Sequence, residues 1–552
     1  MRVSAQLWLI GIWVTLAYAH ADDVPNLERE YADQLQLEAI FVNDIRLRGS
    51  TLLNRADVVQ ATSSFVDRKL TFEELRQARD ALTALYIKQG YVGSGVVIAD
   101  QEVSQGVVYM EAVEADLSSI RVRGNKALST RYIKSRLRSD LGTHLSMVEV
   151  EHALRILQER PMLRRVNARL QPGEQRGHTV LDLEVVENPP LTLTVGYNNH
   201  RAPSVGEDQG VIALAHSSLT GRADYVLANY ALTDGVDDYG IVYGAPLTAK
   251  DLTFEAYFSS GESDITESGF DQLDIVSEIE TWGARLYRPL ARGLNHELVV
   301  GLGFEHTETE TSLLGIPFSF SPGEDFGEST VSLMRATVEW TWRRSEDAIS
   351  VYGAVNYGVD WLDASDAEEV RELGGQRVSD LPDSRFTSFV AKVNYVRRLP
   401  WRGIRLQLSV TAQSADRPLL PSQQLAIGGA GTVRGYRHNQ LVRDSGVIAQ
   451  MELRVPLFAD EQGRSRYGLT LAPFVDFGRG QNEAIGIAGF DRPQAQDISS
   501  VGAGLLWAGW GPLSVQIYYG EDLRDLDNRG DTLQEDGWHL QAALSWSFGG
   551  GG

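Results

Sequence analysis

The chain has 552 residues, no cysteine and a formal net charge of −23. That length exceeds the usual single-domain size, so more than one folded unit is expected unless one large closed sheet absorbs it. Without disulfides, a chain of this size must, if exported, rest on a large core or a closed hydrogen-bonded wall. The acidic balance argues against a nucleic-acid partner, because a phosphate backbone needs a basic face.

At the start, Met1-Arg2 precedes an apolar run, Leu7 to Ala19 (LWLIGIWVTLAYA), that ends on Ala19-His20-Ala21. It is too short to span a bilayer as a helix and has the layout of a secretory signal over residues 1–21. No later stretch reaches the roughly 20 apolar residues of a spanning helix, and mean hydropathy is below zero, which excludes a helical inner-membrane protein. A short tail, 22–37, follows the signal.

Residues 38–188 carry an internal echo. Ile45-Arg-Leu-Arg-Gly49 returns as Ile120-Arg-Val-Arg-Gly124, a spacing of 120 − 45 = 75 residues. In the first copy, Thr71-x-x-Glu74 is a capping box opening a helix with apolar positions Leu75, Ala78, Leu82, Leu85 and Tyr86. Strands are expected at Gly95–Ile98 and Val107–Val113. The second copy offers a helix over Leu145–Leu157 and a last strand over Val180–Val186. Two β-α-α-β-β modules, 38–115 and 116–188, are the simplest account.

After Pro189-Pro190 the periodicity becomes two. In VIAQMELRVPL (447–457), Val447, Ala449, Met451, Leu453 and Val455 share one face, while Gln450, Glu452 and Arg454 take the other. Leu540 to Phe548 alternates in the same way. Segments of about ten residues, apolar outside and polar inside, are the pattern of a transmembrane β-barrel. Candidate strands start near residues 191, 209, 224, 239, 252, 278, 296, 331, 349, 384, 404, 447, 467, 499, 513 and 537. They number sixteen, an even count as closure requires. Short turns such as Arg292-Gly293 alternate with long polar loops over 363–383, 419–446 and 479–498. An all-β barrel over 189–552, preceded by α+β modules, is therefore expected.

The loop between the eleventh and twelfth candidate strands contains GGAGTVRGYRH (428–438). It fails as a phosphate cradle, because no Gly-Lys-Ser/Thr follows and a strand comes next. A plain flexible surface loop is the bland alternative. Geometry favours another role: 13 residues separate Arg434 from Val447 and reach about 43 Å when extended, against an apolar band only about 25 Å tall. The loop can therefore fold inward and lower Arg434 into the lumen, where a semi-enclosed cation needs an anion. In the thirteenth strand, LTLAPFVDFG (469–478), Val475 and Phe477 face lipid, so Phe474, Asp476 and Gly478 face inward.

Val433-Arg434-Gly435-Tyr436 together with Phe474-Val475-Asp476-Phe477-Gly478 resembles the paired motifs of the POTRA-barrel superfamily of outer-membrane polypeptide transporters and assembly factors. Tyr86-Ile87-x-x-Gly90-Tyr91-Val92 and Asp100-Gln101-x-x-x-x-Gly106 resemble its two-partner secretion branch, the type V exporters of haemolysins and filamentous haemagglutinins. The resemblance implies a loop–barrel lock made by Arg434 and Asp476, two periplasmic POTRA modules and a sixteen-strand barrel. The branch usually has Pro-x-Gln where this chain has Ala99-Asp100-Gln101. Relatives can carry an N-terminal helical plug, but the 16 residues of 22–37 reach only about 24 Å as helix, so the inward loop is expected to be the main occluder.

The implied function is an outer-membrane pore, its modules in the periplasm, that recognises a large secreted partner and exports it unfolded without nucleotide hydrolysis. The alternative within the superfamily is an assembly factor that inserts other barrels. Glu452 and Arg454 are expected to line the lumen. Trp546 and Phe548 resemble the C-terminal signal read by the barrel assembly machinery, with an aromatic girdle against outer-membrane lipid as the bland account. An enzyme is not expected: no Ser/His/Asp set has a supporting motif, and the ten histidines are scattered, His438 being expected in solvent. No cofactor or metal is implied.

Overall fold

The computed structural model describes residues 39–366, 381–460, 462–485, 495–509, 511–524, 526 and 532–549. The signal sequence, the tail 22–37 and part of the 363–383 and 479–498 loops lie outside the described residues. The described residues form two compact units, one of 39–125 together with 133–186, the other of 126–132 together with those from 187 onward.

Residues 44–187 hold two copies of one topology. Strand Asp44–Arg48, helices Arg55–Thr62 and Phe72–Lys88, and strands Gly95–Ile98 and Val107–Val113 make the first; Asp116–Arg123, Thr130–Asp140, Met147–Gln158, Leu163–Pro172 and His178–Glu187 make the second. In each sheet the last strand is central, parallel to the first and flanked by the middle one, which leaves both outer strands as edges. Helix Phe72–Lys88 starts where its sequence dictates, with Glu74 N–H donating to Thr71 Oγ1 at 3.3 Å and Thr71 N–H donating back to Glu74 at 2.8 Å. Its Leu75, Ala78, Leu82 and Tyr86 are buried against Val42, Ile45, Val108 and Met110. Burying side chains of this size contributes about 1.5–3 kcal/mol each.

Gln101 is the member of the Pro-x-Gln pattern that this chain keeps. Its amide donates to Tyr109 O at 2.5 Å and accepts from Tyr109 N at 2.7 Å, so it stands in for a strand partner. Between the copies, Leu145 N–H donates to Ala115 O and Met147 N–H to Gly90 O, both at 2.9 Å.

The second unit is a closed antiparallel barrel of sixteen strands. They run 191–198, 209–216, 225–232, 236–246, 253–264, 275–292, 296–313, 328–343, 347–359, 387–398, 405–415, 445–456, 469–481, 496–507, 513–522 and 538–548. Each expected strand is present and starts within three residues of its expected position. Connections at one rim are mostly short (293–295, 344–346, 399–404), the longest being 457–468, and those at the other are mostly long (360–386, 416–444, 482–495), with a tight exception at 233–235. The sixteenth strand closes on the first from Gln541↔Asn198 to Phe548↔Leu191. Thr194 and Ser545 share a hydrogen bond across that seam at 3.0 Å. Alternation sorts the wall: Val475 and Phe477 are 44% and 38% exposed on the outer face, whereas Phe474 and Asp476 are 3% and 0% exposed inside.

Candidate functional site

The connection 416–444 turns into the lumen. It forms its own two-stranded sheet, Leu425–Ile427 against Leu441–Arg443, separate from the barrel ladder. The tip of this hairpin presents VRGY to strands twelve (Ser445–Pro456) and thirteen (Leu469–Gln481).

Arg434 is 5% exposed and meets two carboxylates. Its Nε donates to Asp476 Oδ2 at 2.8 Å and its Nη2 to Asp476 Oδ1 at 2.9 Å, a bidentate fork. The Arg434 peptide N–H adds a third bond to Asp476 Oδ2 at 3.1 Å. Nη1 donates to Glu452, whose other oxygen accepts from Arg454 Nε at 2.8 Å. Two cations and two anions thus balance, which is what lets charge persist where solvation is poor. The guanidinium also lies over the Phe474 ring, 3.6 Å from its centroid, with Tyr518 at 4.8 Å on a second side.

The other motif residues make this placement possible. Val433 is fully buried in an apolar cluster with Ile427, Tyr436, Leu441, Ile448 and Ile498. Tyr436 Oη donates to the carbonyl of Ser499 or Arg524, each at 3.0 Å. Gly435 has φ +91°, and a Cβ there would sit 2.8 Å from Gly520 O, so only glycine fits. Gly478 is bare for a different reason: its Cβ would meet Ile427 Cγ2 at 2.4 Å, where the hairpin presses on the wall.

The structure therefore brings Val433, Arg434, Gly435, Tyr436, Phe474, Asp476 and Gly478 together. Glu452 joins them as a second counter-ion, and Arg454 touches Glu452. Trp546 and Phe548 stand apart, 37% and 48% exposed on the outer face of the closing strand. His438 departs from expectation: it is half-buried, its peptide N–H donating to Gln534 Oε1 at 2.8 Å, because the last connection folds over the tip. Sequence reasoning did not single out Tyr518 or His539. Tyr518 Oη donates to Glu452 at 3.2 Å, and His539 Nε2 accepts the Gly435 N–H at 3.2 Å. Their inward register was legible from alternation, but their partners were not. Beside the bridge lies a cavity of about 360 Å³, with His200, Tyr395, Arg434, Glu452 and His539 in its walls.

A family model described as haemolysin secretion/activation protein ShlB/FhaC/HecB matches residues 177–505, and one for the ShlB-type POTRA domain matches 40–115. Outer membrane transporter CdiB of Dickeya dadantii is 24% identical over 426 residues, covering 76% of this chain and 73% of its own. Heme/hemopexin transporter protein HuxB of Haemophilus influenzae is 21% identical over 501 residues, covering 87% and 82%. The solved structure of CdiB from Escherichia coli superposes with a TM-score of 0.65 at 20% identity, over 92% of this chain and 91% of that one. BamA from Haemophilus ducreyi lacking POTRA domains 1-3 gives 0.52 at 13% identity, over 92% and 100%. At such identities the structural likeness concerns the fold.

Proposed function

Because the chain belongs to the haemolysin secretion/activation family of ShlB, FhaC and HecB type, a family of outer-membrane transporters, we propose that it exports one large secreted partner through its barrel. The barrel lies in the outer membrane and the POTRA domain, residues 40–115, in the periplasm. The partner crosses unfolded, drawn by its own folding outside and not by nucleotide hydrolysis. Residues 116–188 act as a second POTRA module before the barrel at 189–552. The modules hold an extended segment of the partner by strand addition or in a groove, a mode that suits an unfolded chain.

The observation that carries this proposal is the hairpin seated in the lumen by Arg434. It is tied to the wall chiefly by side chains and forms a sheet of its own, so it can leave without breaking the barrel ladder. Arg434 with Asp476 is the lock, Glu452 and Arg454 its charged surround, and Trp546 with Phe548 the signal to the barrel assembly machinery.

The seam bears on the alternative of an assembly factor. Templating new strands calls for an available sheet edge, and here the first and last strands are paired over eight residues. That pairing supports passage through the lumen. Purified protein in vesicles, given its cognate partner and no energy source, is expected to deliver that partner across the bilayer; if none crosses, the proposal is wrong.

A further inference from the structure

The tip of the inward loop is held at a second level by residues outside the VRGY motif. Gln534, on the connection between the last two strands, is fully buried. Its Oε1 accepts the His438 N–H at 2.8 Å, and its Nε2 donates to the carbonyls of Asn199 at 2.7 Å and Arg201 at 2.5 Å. The Glu207 carboxylate fixes this segment in turn, accepting the N–H groups of Leu533 and Gln534 at 3.0 and 3.1 Å. One residue before His438, Arg437 reaches Glu535 at 3.2 Å and Glu267 at 3.3 Å. The Glu535 side chain is 4% exposed and that of Glu267 36%, so the first contact is the sheltered one and the second is largely screened.

A buried amide that spends both donors and its oxygen on backbone groups is costly to remove, because it strands each of those groups away from water. These bonds fix Arg437 and His438 to three segments of the long-loop rim without involving Asp476 or Glu452. We infer that Gln534 and Arg437 are positioning residues of a second latch, which holds the loop tip independently of the Arg434–Asp476 bridge, so that the loop leaves the lumen only when both let go. The inference rests on the reading of the lumen as the export route. It assigns a regulatory part to the last surface loop, whose exposed flank is reachable from outside the cell.

Single-channel recording of the full-length protein in planar bilayers tests this, comparing wild type, Gln534→Ala/Arg437→Ala, Arg434→Ala and the triple variant. The Gln534→Ala/Arg437→Ala protein is expected to be open at least about five-fold more of the time than wild type, the factor one lost hydrogen bond commands. The triple variant is expected to exceed both parents. If Arg434→Ala opens the pore and the latch variant does not, the latch is wrong while the lumen route stands. If no variant changes conductance, the loop is not the occluder and both ideas fail.

A second readout avoids severe variants. The chain has no cysteine, and a Cβ at Gly431 meets nothing within 4 Å, so Gly431→Cys is a silent reporter at the tip. Gln534→Glu, which keeps the size and loses the two donors, is expected to speed maleimide labelling of that cysteine. An unchanged labelling rate in a barrel that still shows heat-modifiable mobility overturns the latch.

Discussion

Two buried carboxylates pin loops to strands in this molecule, and they use opposite kinds of partner. Glu114 accepts from the Thr51 and Leu52 N–H groups at 2.8 and 3.0 Å, and from the hydroxyls of Thr51, Ser50 and Tyr86. Those donors are neutral and are fixed by the module's own fold. Asp476 takes a guanidinium carried on a loop. A carboxylate satisfied by neutral donors makes a static joint, broken by acid or by unfolding. An ion pair whose halves sit on separate elements holds firmly while intact and leaves stranded charge once parted. The first arrangement suits a periplasmic arm, the second a plug.

Breaking the second joint has the largest expected effect. Arg434→Ala strands Asp476, while Glu452 keeps Arg454 and Tyr518, and removes about 3–5 kcal/mol of anchoring. Export of the partner, measured in the medium, is expected to be abolished while folded barrel remains in the membrane; undiminished secretion would remove the role assigned to the bridge. Gly435→Ala comes next, since a Cβ at φ +91° and 2.8 Å from Gly520 O keeps the tip from seating. Secretion is expected to fall at least about five-fold, as the strain costs about 1–3 kcal/mol. Glu452→Gln leaves the Asp476 fork in place, so export is expected to drop only partly in the same assay.

The static joint responds differently. Glu114→Gln is expected to cost about 1–3 kcal/mol of local stability, seen as faster proteolysis of the periplasmic unit, with the lumen bridge untouched. The smallest effect is on pH dependence. Burial raises the Glu114 carboxyl, but the Thr51 hydroxyl, the Leu52 and Thr51 N–H groups and Ser50 outweigh it and hold it at about 2, below its ordinary 4.5. A folded value below the unfolded one contributes stability that is full above about 4.5 and is lost as pH falls toward 2. The wild-type unit is expected to become protease-sensitive over that interval, and Glu114→Gln to show a flatter profile.

Most of the architecture was legible because period-two alternation and the Thr71–Glu74 box act locally. The same alternation put Phe474, Asp476 and Gly478 on the inner face. What it could not give were contacts made across the lumen. Glu452 read as wall lining, since nothing in VIAQMELRVPL says that a loop carbon chain will bring Arg434 against it. Tyr518, His539 and Gln534 lie on the last three segments of the chain, and their partners are set by closure of the barrel. His438 read as solvated because a fold-over by residues 532–537 leaves no local pattern. Gly478 illustrates the middle case: its inward register was plain, but the reason it lacks a side chain, the Ile427 methyl 2.4 Å from where a Cβ would stand, needs the folded loop.

The central claim, that Arg434 and Asp476 work as one unit to seat an export-competent loop, is tested most directly by a double-mutant cycle read on secretion. Arg434→Met and Asp476→Asn are made singly and together, the partner in the medium being quantified against folded barrel. Each single change is expected to lower export at least about ten-fold, and the double to lose far less than the product of the two, because it strands no charge. Losses that simply multiply would contradict the claim.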